Sequence, residues 1–376
     1  MTTMTLKEQV STKRREIFTD SYPMSIGEIA NLYRDGEIYI NPDFQRFYRW
    51  TDTQKVRLIE SIMLGIPLPS IFVAQREDGV WELVDGLQRL STIFSFMGLL
   101  KGRDGVDEPK LVLSKTDDIS AFEGISWDSP EFDGSMKIDF KREKIDVKII
   151  KKESDINTKF ELFQRLNTGG SNLSDQEVRN CLLIMLNSEF FTLISDLSQY
   201  DAFMSCTSIN DRLKEERFDM ELVLRFIVQN RVPTETLSAI VDVNEFLTNG
   251  MREIAEDESF NNEDVAVIFK KTFDYINQAL SDDAFKKWDG TRYKGAFSIA
   301  IFEVVTSGVY HFLRTNNDFV NYDITGASAQ TLINAIKDIT KLIPFEQDFI
   351  RYSGSGSKAS YRLPKLIPLG QRLFVS

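Results

Sequence analysis

Between Trp81 and Met97 the sequence passes from a strand pattern into a helical one with only Asp85-Gly86 at the junction. A strand that ends in Asp-Gly and turns straight into a helix aims backbone N–H groups at one point. That arrangement favours anions, and the positive end of the helix dipole adds to it. Gly86 permits the tight turn and a close backbone approach. Arg89 adds a planar fork suited to two phosphate oxygens, and Gln88 a neutral donor. Asp85 is placed to orient that arginine, bind Mg²⁺ or position a water.

The surrounding pattern is α+β: a small mixed sheet with helices, then a mostly helical region. Thr51-Asp52-Thr53-Gln54 reads as a capping box opening a helix to about Leu64, with Val56, Leu58, Ile59, Ile62 and Met63 inward. Ser70 to Gln75 reads as a strand. Asp78-Gly79 is a hairpin turn, and Trp81 to Val84 is the returning strand. In the helix after Gly86, Leu90, Ile93, Phe94 and Met97 mark one apolar side. Residues 101–140 have little periodicity and read as an insertion loop with a short strand. Lys144 to Ile150 alternates as a strand, with Ile145, Val147 and Ile149 inward. A helix from about Asp155 to Leu166 ends before Gly169-Gly170. Ser174-Asp175-Gln176-Glu177 is a second capping box, and the pattern stays helical to about Leu342, with a Gly/Ser loop from Ser353 to Ser360. The expected domains are residues 1–185 and 186–376.

Composition narrows the chemistry. The 376 residues carry a net charge of −12, which speaks against extended coating of duplex DNA, although a local patch can still touch it. The two cysteines, Cys181 and Cys206, have no metal-ligand spacing and read as buried thiols in a reducing cytoplasm. No apolar run reaches the ~18 residues of a membrane span, so a cytoplasmic protein is expected. The one histidine, His311, sits in an apolar helical stretch and reads as a core or boundary residue. One histidine cannot furnish a His-metal nuclease, zinc hydrolase or deaminase site, and no Gly-x-Ser-x-Gly elbow accompanies it. Gly354 to Lys358 only superficially resembles a phosphate loop, because no strand precedes it and no Ser or Thr follows the lysine. No metal-ligand cluster is expected.

Three Gln-Arg pairs stand at element ends. Gln45-Arg46 precedes a capped helix, Gln88-Arg89 opens one, and Gln164-Arg165 closes one before Asn167-Thr168-Gly169. Each alone has an ordinary reading. Asp85-Gly86 is a common turn, Arg89 a salt-bridge partner and Arg46 a loop brace, and a helix C-terminus welcomes the Arg165 cation anyway.

Together the blocks Asn41 to Trp50, Leu83 to Thr92 and Phe163 to Gly170 resemble, in order and spacing, the GmrSD-type N-terminal domain, over roughly Glu28 to Cys181. The resemblance implies a ParB/sulfiredoxin-like fold and a role in modification-dependent restriction or anti-phage defence. It also implies nucleoside-triphosphate binding, with hydrolysis that licenses a separate nuclease. The family's Asp-Gly-Gln-Gln-Arg motif falls on Asp85 to Arg89, with Leu87 in place of the first glutamine. Asp85, Gln88 and Arg89 are then the expected catalytic residues, with Mg²⁺ accompanying the nucleotide. Expected nucleotide contacts in the first two blocks are Gln45, Arg46, Gly86, Ser91 and Thr92. In the third block they are Arg165, Asn167 and Thr168. Sulfiredoxin chemistry is excluded because no cysteine sits in the turn, and a His-Asn-His nuclease domain is not expected with one histidine. Two rival readings are a non-catalytic DNA- or partner-binding module and a metal-dependent nickase built on carboxylates.

Overall fold

The computed structural model describes residues 5, 19–40, 50–102, 105–151, 174–315, 327–354 and 358–374. The chain forms two compact units, Met1–Asn172 and Leu173–Ser376. The first is α+β and the second mostly helical, as the pattern predicts.

The first unit holds β1 (Thr19–Ser25), α1 (Ile26–Arg34), β2 (Ile38–Tyr39), α2 (Asp52–Met63), β3 (Ile71–Gln75), β4 (Trp81–Asp85), α3 (Leu87–Met97), α4 (Gly134–Arg142) and β5 (Lys144–Ile150). The strands form one mixed sheet in the order β1-β5-β3-β4-β2. β1 runs antiparallel to β5, β5 parallel to β3, β3 antiparallel to β4 and β4 parallel to β2. The capping box of α2 forms with both reciprocal bonds between Thr51 and Gln54. Val56, Leu58, Ile59 and Ile62 are buried, and Met63 packs on the core from its edge. The alternation of β5 puts Ile145, Val147 and Ile149 into the same core, as period-two side chains require. The β3–β4 hairpin turns at Gly79, whose φ of +86° suits glycine.

Two expectations fail here. Residues 101–140 form no strand among those described; they carry one isolated bridge, Lys101 to Asp107, and then α4. Nor are they a surface insertion, because Leu111, Leu113, Phe122, Phe132 and Phe140 are all buried. Phe132, Phe140 and Trp127 pack edge-on or tilted against Phe96 of α3 at centroid separations of 5.2–5.6 Å. Aromatic burial of this kind fixes a segment without any regular period. The second failure concerns α3, which is buried on nearly every side, Ser91, Thr92 and Ser95 included, rather than along one stripe.

The second unit holds α5 (Asp175–Leu186), α6 (Ser188–Ser198), α7 (Asp201–Thr207), α8 (Asp211–Glu215), α9 (Phe218–Arg231), α10 (Val243–Ala255) and α11 (Asn262–Leu280). A small hairpin, β6 (Lys287–Trp288) with β7 (Tyr293–Lys294), interrupts the helices. Then come α12 (Ile299–Thr315), α13 (Ala327–Leu342), α14 (Gln347–Tyr352) and α15 (Ala359–Leu373). Neither the hairpin nor α15 is announced by the sequence pattern, and Pro364 and Pro368 lie inside α15. His311 is half-buried on α12. Cys206 is a buried free thiol, and burial pushes its pKa up. Among the described residues no helix is long and apolar enough to cross a membrane. The helix expected over 155–166 and its Gly169-Gly170 stop lie outside the described residues.

The compact units divide at 172/173 rather than after residue 185. The cause is polar. On α5, Arg179 is 2% exposed and donates from Nη2 to Glu221 Oε2 of α9 at 2.7 Å. Its Nε donates to Gln176 Oε1 at 2.8 Å, and Asn180 reaches Met220 Sδ at 3.1 Å. The chain of charges continues inward. Arg225 grips Glu221, and its Nη1 lies 3.7 Å from Glu303 Oε1. Glu303, with no exposed surface, accepts two bonds from Arg362 at 2.8 and 2.9 Å. A buried pair contributes little net stability while intact, but removing one partner strands the other. Glu303→Ala is therefore expected to destabilise the chain by roughly 3–5 kcal/mol, measured as the shift in the urea unfolding curve.

Candidate functional site

The turn between β4 and α3 is built around a glycine and an arginine. Gly86 has φ +104°, and a Cβ there would lie 2.5 Å from Ile71 Cγ2. Any side chain would thus be strained in its backbone and would also push β3 away. The glycine's tightest constraint is close packing on β3. Gly86 is also the N-cap of α3, and the helix start carries no side-chain cap. Leu87, the departure from the family pattern, packs against the core. An apolar residue suits a position that turns inward.

Arg89 ties this turn together. Its Nη1 donates to the carbonyls of Pro69 and Ser70 at 2.6 and 2.7 Å, and its Nη2 to Asp85 Oδ2 at 2.8 Å. The Arg89 side chain is 13% exposed and the Asp85 side chain 36%. Of the five N–H donors of a guanidinium, three are thus committed to protein. The sequence presents Arg89 as a fork open to phosphate. The structure makes it first a brace that holds the approach to β3 against the first turn of α3 and keeps the Asp85 carboxylate in place. The Pro69 and Ser70 carbonyls are the site's unforeseen members, since nothing in a backbone oxygen's residue type announces it.

Gln88 Oε1 accepts from the Trp50 backbone N–H at 3.1 Å. This bond joins the end of the first sequence block to the second. Ser91 and Thr92, both expected nucleotide contacts, are fully buried behind the turn. Thr92 Oγ1 donates to Gln88 O at 2.7 Å, and Ser91 Oγ has no hydrogen-bond partner among the described residues. Gln45, Arg46, Arg165, Asn167 and Thr168 lie outside the described residues. Among those described, no group of three or more His, Cys, Asp or Glu is arranged as metal ligands. A Mg²⁺ held by one carboxylate and by phosphates needs no such group.

The fold and turn define an α+β domain in which the β4–α3 junction, uncapped by any side chain, presents a carboxylate beside a helix N-terminus. Residues 26–184 match the family described as GmrSD restriction endonuclease, N-terminal domain. The match connects the chain to restriction and defence. It ends within α5, past the division between the compact units. Comparison with curated proteins and with solved structures found no match.

Two substitutions test the turn. Gly86→Ala should lower stability by roughly 2–4 kcal/mol, the sum of a left-handed backbone strain and an overpacking cost. Arg89→Ala should cost roughly 1–3 kcal/mol by leaving the Pro69 and Ser70 carbonyls without their donor, with Arg89→Lys milder. Denaturant unfolding of the three variants beside wild type gives all three values.

Proposed function

We propose that the chain is the nucleoside-triphosphate-handling part of a modification-dependent restriction or anti-phage system, with the triphosphate bound and hydrolysed at the Asp85–Arg89 turn. The observation that carries this reading is the pairing of an uncapped α3 N-terminus with a partly exposed carboxylate that Arg89 holds beside it. Helix N-termini favour phosphate through their N–H groups and dipole. Asp85, with Oδ2 on Arg89 and the carboxylate still open to solvent, suits a Mg²⁺ ion or an attacking water. When bound, the ion would neutralise charge on the phosphates. Arg89 then acts mainly by positioning Asp85, and Gln88 by anchoring the segment that ends at Trp50.

The remaining expected contacts, Gln45, Arg46, Arg165, Asn167 and Thr168, complete the proposal as groups closing on the turn. The Trp50–Gln88 bond supports this for the first pair, because Arg46 lies four residues before Trp50. A ParB-like ancestry for the sheet, a cytoplasmic setting and contact with DNA through a local patch belong to the same proposal. So does a nuclease activity that the nucleotide step licenses.

Asp85→Asn is the cleanest test, because it keeps an acceptor for Arg89 while removing the negative charge. Phosphate release from the four ribonucleoside triphosphates with Mg²⁺ should fall on the order of 10²-fold in this variant, with the unfolding midpoint nearly unchanged. Equal turnover in both proteins would remove the turn from the chemistry. No turnover by wild type, with modified or unmodified DNA present, would favour the non-catalytic binding module. Metal-dependent nicking of supercoiled plasmid without nucleotide would favour the nickase.

A further inference from the structure

A cavity of about 510 Å³ lies within the helical unit, between the last turn of α9, the 3-10 turn Thr234–Ala239 and one face of α10. Its lining residues on α10 recur every three or four positions from Asp242 to Ile254. That spacing is one continuous helical stripe, about 18 Å long at the ordinary rise per residue. The groove is therefore elongated along a helix. Its floor is apolar: Val232 at the end of α9, Ile240, and Phe246 on α10. Gly250 lets the two helices meet closely, since a Cβ there would fall 2.5 Å from Val228 Cγ1. The rim is acidic. Asp242, Glu245 and Glu253 are all exposed, whereas the cation beside them, Arg231, is paired with Asp257.

Three carboxylates against a neutralised guanidinium repel phosphate, so this cavity is no second nucleotide or nucleic-acid site. The combination of an apolar floor, an acidic rim and an elongated stripe has a specific complement. We infer that the groove docks an amphipathic basic helix of a partner protein, with apolar side chains on the floor and Lys or Arg beside the carboxylates. In helix-in-groove recognition the docking helix lays apolar anchors at i, i+3 or i+4, and i+7 into an apolar groove, and a groove about 18 Å long has room for two or three such anchors. Opposite charge at the rim sets orientation and speeds encounter. Val241, 79% exposed at the groove mouth, extends the apolar surface outward.

Fluorescence anisotropy of the full chain with a labelled Leu/Lys peptide two heptads long tests the inference. The control is the same peptide with every Leu replaced by Ser, which keeps the charge and removes the apolar face. The Leu/Lys peptide should bind at least about tenfold more tightly than the Ser control. Binding should weaken about tenfold in Glu245→Gln/Glu253→Gln and in Asn249→Trp, which fills the exposed wall. Two variants acting by different means keep the result readable if one folds poorly, and melting curves identify that case. Equal binding of the two peptides, or binding indifferent to both variants, would overturn the proposal. Concentration-dependent self-association of the chain that Asn249→Trp abolishes would also overturn it, by assigning the groove to a second copy.

Discussion

One guanidinium holds the corner on which the first unit's candidate site depends. Arg89 reaches from the first turn of α3 to two successive carbonyls, Pro69 and Ser70, and to Asp85 at the end of β4. These bonds close a corner where the chain would otherwise leave carbonyls facing a partly buried space. Net hydrogen-bond energies are modest, but an unmade buried bond is costly, so the corner is cooperative. Gly86 sets its tightness through contact with Ile71, Arg89 sets its geometry, and Asp85 receives its orientation from both. The register shift in the β3–β4 ladder lies beside the same corner, between Phe72 and Val73, where Phe72 pairs with Asp85. Bulges of this kind re-aim a side chain at the end of a ladder.

The helical unit solves the opposite problem. Its charges are drawn inside, where Arg179, Arg225 and Arg362 alternate with Glu221 and Glu303 across α5, α9, α12 and α15. Burial lowers the Arg179 pKa, while Glu221 and Asp175 oppose that shift. Arginine suits the role because its charge is nearly permanent and its fork satisfies two oxygens at once. Such a ladder contributes little net stability while intact, but losing one partner strands the others. It joins α5, which lies inside the family match, to the helices C-terminal to it.

Much of this was legible because the information was local. The capping boxes at Thr51 and Ser174 each span four residues, and both form with reciprocal bonds. Asp78-Gly79 and the alternation of Lys144 to Ile150 are equally short-range signals. The site was legible in residue type at Asp85, Gly86, Gln88 and Arg89, but not in partnership. The partners of Arg89 are main-chain oxygens about twenty positions earlier, which no motif encodes. Tertiary aromatic packing hid the core role of Trp127, Phe132 and Phe140, since their spacing follows neither helix nor strand. Pro364 and Pro368 hid α15, because proline ordinarily marks a helix boundary.

Net charge alone would have misdirected the search for a binding surface. A total of −12 argues against phosphate everywhere, yet the sign of the field is decided within a few ångströms by whichever groups are not already paired. At the Asp85–Arg89 turn the guanidinium is paired with the Asp85 carboxylate, and the helix N-terminus beside them is the element that opposes the global sign. In the groove of α10 the exposed carboxylates reinforce it. The proposed phosphate site and the proposed helix groove therefore differ in the sign of charge each would favour.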